Sequence, residues 1–285
     1  MATCREALGL DTDMPLVQAA LQRAGIDHLV VAWDDDQDWS QFSLVVIRST
    51  WDYHRRYDEF INWVRRVSQV TELANSAEIV TWNTDKRYLA DLTAAGMPIV
   101  PTTYVAPGES FDSAAIDRLL TAGDVVVKPT VSAGSNDTER HADGASLRAH
   151  IAALHASGRT VMVQPYVREV DTGSETGLVY IDGTFSHAFA KGPMLRDPKT
   201  MAQGLYAEER IDARQPSSAE RDLGDRVVGW VRARFGTPLY TRVDLLPSSA
   251  GPLVIEVEMT EPSLYVHLGE DAADRLARAI ARRVA

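Results

Sequence analysis

Apolar residues along the chain fall into two rhythms, short continuous runs and helical spacings. His28-Leu-Val-Val-Ala-Trp33 and Leu44-Val-Val-Ile-Arg48 are short apolar runs, the pattern of strands covered on both faces. Leu16, Val17, Ala20, Leu21 and Ala24 mark one helix face that ends at Gly25. Phe60, Val64 and Val67 form the buried stripe of a helix over 57–67. A very short strand, Ala2 to Cys4, opens the chain. Strands alternating with helices in this way predict a small α/β unit on a parallel sheet.

Beyond it, Asn83-Thr-Asp-Lys86 is expected to open a helix that runs to Ala95 and stops at Gly96, with Pro98 and Pro101 keeping the chain extended. Val125–Lys128 reads as a strand ended by Pro129, Ser132–Ser135 as a small-residue turn, and Val161–Gln164 as a strand again closed by proline. Leu147, Ile151 and Leu154 mark the helix between them. The last third is richer in strands: 177–181, 185–190, 239–246 and 253–258, with Asp182-Gly183 a hairpin turn between the first two. A helix over 219–235 interrupts them, and another with Ala273, Leu276 and Ile280 on one face closes the chain. The segment 191–210 has no period and reads as a loop. The expected class is therefore α/β followed by α+β, in three units: 1–84, 85–165 and 166–285.

Composition narrows the class. The chain has 285 residues, 45% of them hydrophobic, enough for a sizeable core. No segment approaches about eighteen consecutive apolar residues, and the N-terminus lacks a basic region followed by an apolar run. One cysteine, Cys4, excludes an intramolecular disulfide and a cysteine-built zinc site. A cytoplasmic location is the default expectation. The net charge is −11, with 29 basic residues scattered among 40 acidic ones. That argues against nucleic acid and a membrane surface as partners, but not against an anionic ligand held by a few placed cations and a metal.

The chemistry gathers on two strands. Side chains two apart share a strand face. In Tyr240–Leu246, Thr241, Val243 and Leu245 share one face, and Arg242 and Asp244 the other. In Leu253–Glu258, Leu253, Ile255 and Val257 oppose Glu256 and Glu258. The linker Pro247-Ser-Ser-Ala-Gly-Pro252 is short and turn-rich, so the strands should pair as a hairpin and bring three carboxylates and one guanidinium together. Such a cluster needs a cation, and its hard oxygens suit Mg²⁺. A solvated strand face carrying a surface ion pair gives the same pattern. Lys128, ending an apolar strand before a Ser/Gly loop, could reach a phosphate; a surface lysine would look alike. Neither a P-loop nor a Rossmann fingerprint is present.

Taken in order, these pieces resemble the ATP-grasp superfamily over nearly the whole chain. The order is Asp85-Lys86 with a helix ending at Gly96-Met-Pro98, Val-Val-Lys128-Pro with the loop Ser132-Ala133-Gly134-Ser135-Asn136, Val-Gln164-Pro165-Tyr166-Val167, Gly173-Ser-Glu175, Thr-Arg242-Val-Asp244 and Ile-Glu256-Val-Glu258. The resemblance implies an ATP-grasp fold with an N-terminal parallel α/β domain, a small central lid domain and a C-terminal, mainly antiparallel sheet with helices. By motif, Lys86 and Lys128 look like the lysines that hold the ATP phosphates, and the loop 132–136 like the one that closes over them. Gln164 to Val167 looks like the adenine-reading hinge, Glu175 like the ribose-binding acid and Lys191 like a phosphate-side lysine. Asp244, Glu256 and Glu258 look like ligands of two Mg²⁺ ions. Glu258 departs from the family, many members of which carry asparagine there, and Glu261-Pro262-Ser263 stands where related ligases have a Ser-Pro-type substrate turn.

The resemblance further implies an ADP-forming ligase that phosphorylates a small-molecule carboxylate and lets a nitrogen nucleophile displace the phosphate, with Lys86, Lys128 and Arg242 neutralising charge. A homodimer is common among related ligases. Substrate residues are expected at the end of the strand Leu44–Arg48: Arg48 for a carboxylate, with Trp51, Asp52 and Tyr53 around the pocket. Core packing of the aromatics and an ion pair for Arg48 would explain these residues equally well. The phrase Arg48-Ser-Thr-Trp-Asp-Tyr53 with Glu261-Pro-Ser-Leu-Tyr265 is similar to cyclo-ligases that close the ring of O-ureido-D-serine. An intermolecular carboxylate–amine ligase and a non-catalytic nucleotide-binding regulator are the alternatives. The seven histidines show no metal-type spacing and read as structural, with His267 a minor substrate candidate.

Overall fold

The structure is a computed structural model and describes residues 1–193, 195 and 210–284. The expected loop over 191–210 lies mostly outside the described residues.

The chain begins with strand β1 (Ala2–Thr3), helix α1 (Met14–Arg23), β2 (Val31–Ala32), β3 (Leu44–Val46), α2 (Tyr57–Val67) and β4 (Glu72–Ala74). β1 pairs with β2 and β3 with β4, both parallel, and a parallel bridge between Ala2 and Ile47 joins the two pairs. The strands are shorter than their apolar runs suggest: of His28–Trp33 only two residues are paired. The α1 face also differs from the sequence reading. Met14, Val17, Ala20 and Leu21 are buried, whereas Leu16 is 41% exposed and Ala24 lies past the helix end. The helix starts at Met14, one residue after Asp13, which sets the phase of its buried stripe.

Two seven-residue helices follow, α3 (Ala77–Asn83) and α4 (Tyr88–Ala94). The expected single helix from Asn83 to Ala95 is corrected here: Asn83 ends one helix instead of opening another. Ser76 caps the first, its Oγ accepting from the Ile79 amide. The chain then turns at Thr84–Arg87, where the Lys86 amide donates to the Thr130 carbonyl at 2.8 Å. Helical hydrogen bonding is interrupted where that amide is taken by another segment.

A four-stranded sheet in the order β5-β8-β6-β7 comes next, built from β5 (Thr103–Val105), β6 (Val125–Pro129), β7 (Glu139–His141) and β8 (Val161–Pro165). All its pairings are antiparallel. Helices α5 (Ser113–Ala122) and α6 (Gly144–Ala156) pack with it around Val105, Val125, Val127, Leu147, Leu154 and Val161. After the short α7 (Val170–Gly173), an antiparallel sheet in the order β11-β10-β9-β12-β13 is formed by β9 (Glu175–Ile181), β10 (Thr184–Lys191), β11 (Ile211–Ala213), β12 (Tyr240–Leu246) and β13 (Leu253–Glu258). The β9–β10 turn is Asp182-Gly183, both at positive φ. Helix α8 (Ser218–Phe235) starts with a Ser217/Glu220 capping box, and α9 (Ala272–Val284) closes the chain. One core cluster joins Tyr88, Leu89 and Leu92 of α4 to the five-stranded sheet and α8. Another joins α1 and α9 to the same sheet. Among the described residues, no helix is long and apolar enough to cross a membrane.

Candidate nucleotide and ligation site

β12 and β13 pair with Arg242 opposite Glu258 and Asp244 opposite Glu256, so the alternation brings the four charged groups onto one face. The register slips between Asp244 and Leu245, and Leu245 faces Val254. This bulge overturns the expected face of Ile255: Val254 joins the core, while Ile255 lines the cavity with the acids. A bulge re-aims one side chain in this way.

Arg242 forms a fork on Asp244, with Nε–Oδ1 at 2.9 Å and Nη2–Oδ2 at 2.6 Å. Its Nη2 also donates to Glu258 Oε1, and Nη1 donates to the Ser263 carbonyl at 3.1 Å. Lys86 Nζ pairs with Glu256 Oε1 at 3.1 Å and donates to the Ser132 carbonyl at 2.7 Å. One lysine thus ties the acidic strands to the start of the loop 132–136. In that loop Gly134 and Ser135 have positive φ, and the Asn136 amide group donates back to the Ala133 carbonyl at 2.7 Å.

The electrostatics divide the two glutamates. Burial opposes ionisation of Glu256, but Lys86 and Lys128 outweigh it and hold its carboxyl below the usual range. Burial pushes Glu258 well above that range; Arg242 pulls the other way, and the charges of Glu256 and Asp244 add to the rise. Glu261 is pushed up to about 7, mainly by burial. Burial likewise lowers Lys128, against the attraction of Glu256. For Arg242, Asp244 and Glu258 outweigh burial and raise the guanidinium well above its ordinary value. Asp244, Glu256, Glu258 and Glu261 thus stand against Lys86, Lys128 and Arg242 around one space. Asp244, Glu256 and Glu258 are oxygen donors that could hold a hard divalent cation.

A cavity of about 400 Å³ opens over this face. Lys86, Lys128, Ser132 to Ser135, Gln164 to Val167, Glu175, Lys191, Arg242, Asp244, Glu256 and Glu258 all line it. Asn136 does not; it closes its own loop. At the strand end, Gln164 pairs with Val126 and donates from its side chain to Thr102 Oγ1 at 2.8 Å, and the Tyr166 amide donates to the Asp124 carbonyl. Arg140 stacks on the Tyr166 ring at 3.7 Å. Lys191 Nζ lies 3.9 Å from Glu175 Oε1 across the β9–β10 pair.

The four substrate candidates divide. Trp51 and Tyr53 line the cavity, with Trp51 Nε1 donating to the Glu261 carbonyl at 3.1 Å and Tyr53 Oη to that of Ser132 at 3.3 Å. Arg48 and Asp52 do not line it. Arg48 is fully buried, pairs with Asp13 at 3.3 Å and stacks at 5.6 Å on Tyr240. Asp52 accepts from Trp33 and Arg56. Both are engaged in ion pairs away from the cavity. His267 is likewise outside the lining, whereas Glu261, Ser263, Tyr265, Leu10 and Thr12 belong to it. Glu261 could have been suspected from its three-residue distance to Glu258; for Leu10 and Thr12 no sequence signal existed.

Known proteins resemble this chain over its whole length. Residues 1–75 match the family model described as D-cycloserine synthetase DcsG, N-terminal domain. The cycloserine biosynthesis protein DcsG of Streptomyces lavendulae is 40% identical over 299 residues, covering 100% of this chain and 98% of that protein. The crystal structure of D-cycloserine synthetase DcsG superposes with a TM-score of 0.90 at 39% identity, covering 100% of this chain and 98% of the other. D-alanine–D-alanine ligase from Bacillus anthracis complexed with ATP shares the fold, at a TM-score of 0.68 and 15% identity, over 100% of this chain and 95% of that one.

Proposed function

Because the chain belongs to the D-cycloserine synthetase family of ATP-grasp ligases, we propose that it closes the ring of O-ureido-D-serine in cycloserine biosynthesis. It is an ATP-dependent ligase that forms a carbon–nitrogen bond. In the proposed reaction the substrate carboxylate takes the γ-phosphoryl group, leaving ADP. The ureido nitrogen bonded to oxygen then attacks the acyl carbon and expels phosphate. Hydrolysis of the carbamoyl group, as carbon dioxide and ammonia, leaves the unsubstituted ring.

The observation that carries this reading is the cluster in which Lys86, Arg242, Asp244, Glu256 and Glu258 interlock at the floor of the cavity. Phosphoryl transfer needs charge neutralisation and positioning more than covalent help. Lys86 and Lys128 would hold the phosphates, and the desolvation that lowers Lys128 makes its contact with an anion stronger than in water. Asp244, Glu256 and Glu258 would hold two Mg²⁺ ions. The fit is chemical: burial pushes the Glu258 carboxyl above its usual range, and a hard cation would favour its charged form. When bound, Mg²⁺ neutralises the charge of the phosphates. Arg242, once released from part of its ion-pair network, would face the developing oxyanion. The segment 164–167 would receive adenine, Glu175 the ribose and Lys191 a phosphate. Trp51 and Tyr53, the loop 132–135 and Glu261 would enclose the substrate.

ADP release tests the proposal. With Mg²⁺, ATP and O-ureido-D-serine, ADP should form only when all three are present. ADP formation that needs an added amine would indicate an intermolecular ligase. None with any carboxylate would leave only a nucleotide-binding protein.

A further inference from the structure

The four-stranded sheet and its helix α6 carry a second cluster of metal-type groups, and none of its members lines the cavity. We propose that Glu139, His141 and His150 form a site for a borderline divalent metal ion, with Zn²⁺ the best match to two imidazoles and a carboxylate. Glu139 and His141 lie two apart on the edge strand β7 and share a face. His150 faces them from α6. His141 Nε2 and His150 Nδ1 are 3.1 Å apart, and Glu139 Oε2 lies 3.9 Å and 3.8 Å from them. In a tetrahedral zinc site with bonds of about 2.0–2.1 Å, ligand atoms sit about 3.3 Å from one another. The nitrogen pair already fits, and the carboxylate needs to close by roughly half an ångström. Both imidazoles are buried, while the Glu139 side chain is 30% exposed. Three protein ligands with the fourth position toward water therefore match the shape of the cluster.

The surroundings orient one ligand. Ser146 Oγ donates to Asp143 Oδ2 at 2.8 Å and lies 3.1 Å from His141 Nδ1. With its proton committed to Asp143, the hydroxyl accepts from His141 Nδ1–H. That leaves the Nε2 lone pair of His141 directed at the cluster, as a histidine ligand requires. Burial lowers both histidines from their ordinary value, toward the neutral form that binds metal. The sequence hides this arrangement because the two histidines are nine residues apart on different elements. An ion here would tie β7 to α6 directly after Thr138, which lines the nucleotide cavity.

The test is Zn²⁺ titrated calorimetrically into the metal-stripped full chain, with Mg²⁺ in excess to occupy hard-oxygen sites. About one equivalent should bind. His141→Gln and His150→Gln should each abolish binding, Ser146→Ala should weaken it about tenfold, and Glu256→Gln should leave it in place. If the histidine variants fold poorly, Co²⁺-loaded wild type serves instead. It should show strongly shifted, exchangeable imidazole N–H resonances in its proton NMR spectrum. Three results would overturn the proposal: no zinc bound, no such resonances, or zinc kept by the histidine variants and lost with Glu256→Gln. The cluster would then be a hydrogen-bonded histidine pair serving packing alone.

Discussion

At the scale of single residues, Glu261 is the group whose chemistry the fold changes most usefully. Burial lifts its carboxyl from 4.5 to about 7. The folded chain therefore holds a proton there that the unfolded chain releases. This stabilisation is complete below 4.5 and is lost as pH rises through about 7. Thermal unfolding without nucleotide should show a smaller loss of Tm between about pH 5 and about pH 8 in Glu261→Gln than in wild type. Equal losses would remove the shifted carboxyl from the account. Asp244 makes the complementary case. Asn at that position still accepts from Arg242 but gives up a charge, so Asp244→Asn should keep the fold and lose about a hundredfold or more in turnover. Near-normal kcat would remove Asp244 from the proposed metal set. The alternation of Arg242, Asp244, Glu256 and Glu258 was visible in the sequence because the period of a strand depends on nothing distant. Glu261 lies outside that alternation, and the Trp51 indole that donates to its carbonyl is 210 residues away.

At the scale of elements, long and strongly patterned segments were legible: α2 spans the expected 57–67, and α8 matches to within a residue. Short ones were not. The expected helix from Asn83 to Ala95 missed α3 and began α4 five residues early, because both have seven residues and the break between them is set by partners elsewhere. Asn83 donates to the Val257 carbonyl at 2.7 Å and accepts from the Met259 amide at 2.7 Å. It therefore serves β13 instead of capping a helix. Asn83→Ala would orphan both buried groups and should destabilise the chain by about 1–3 kcal/mol per group, measured by denaturant unfolding; an unchanged midpoint would contradict this. Gly177 sits opposite Asp244 on β9, and a Cβ there would lie 2.1 Å from the Phe189 ring. Phe189 is buried and packs edge-on against Tyr265 at 4.7 Å, so it has nowhere to move. Gly177→Ala should cost about 1–3 kcal/mol and lower Tm by several degrees. A melting curve that superposes on wild type would show that β10 yields.

At the scale of the whole molecule, distant parts of the chain meet through buried polar clamps. Asp13 accepts from the backbone amides of Leu264, Tyr265 and Val266 while pairing with Arg48. Asn75 bonds Leu239, Tyr240 and Met259. Arg48 and Asp13 thus hold the N-terminal sheet against the segment that carries Glu261 and Tyr265, and Arg48 positions the cavity wall without touching the cavity. The order of motifs picked out residues that line one cavity, the proposed nucleotide half of the site, since each motif is local. The proposed substrate half combines Thr12, Trp51 and Tyr53 of the first 84 residues with Glu261 near the other end of the chain, and no local pattern encodes such a convergence.

The central claim is ring closure at this site. Its most direct measurement is mass analysis of the products after incubation with ATP, Mg²⁺ and O-ureido-D-serine. The account predicts D-cycloserine and ADP in equal amounts, with no added amine. ADP accompanied only by an intermolecular amide, or no ATP-dependent consumption of O-ureido-D-serine, would contradict it.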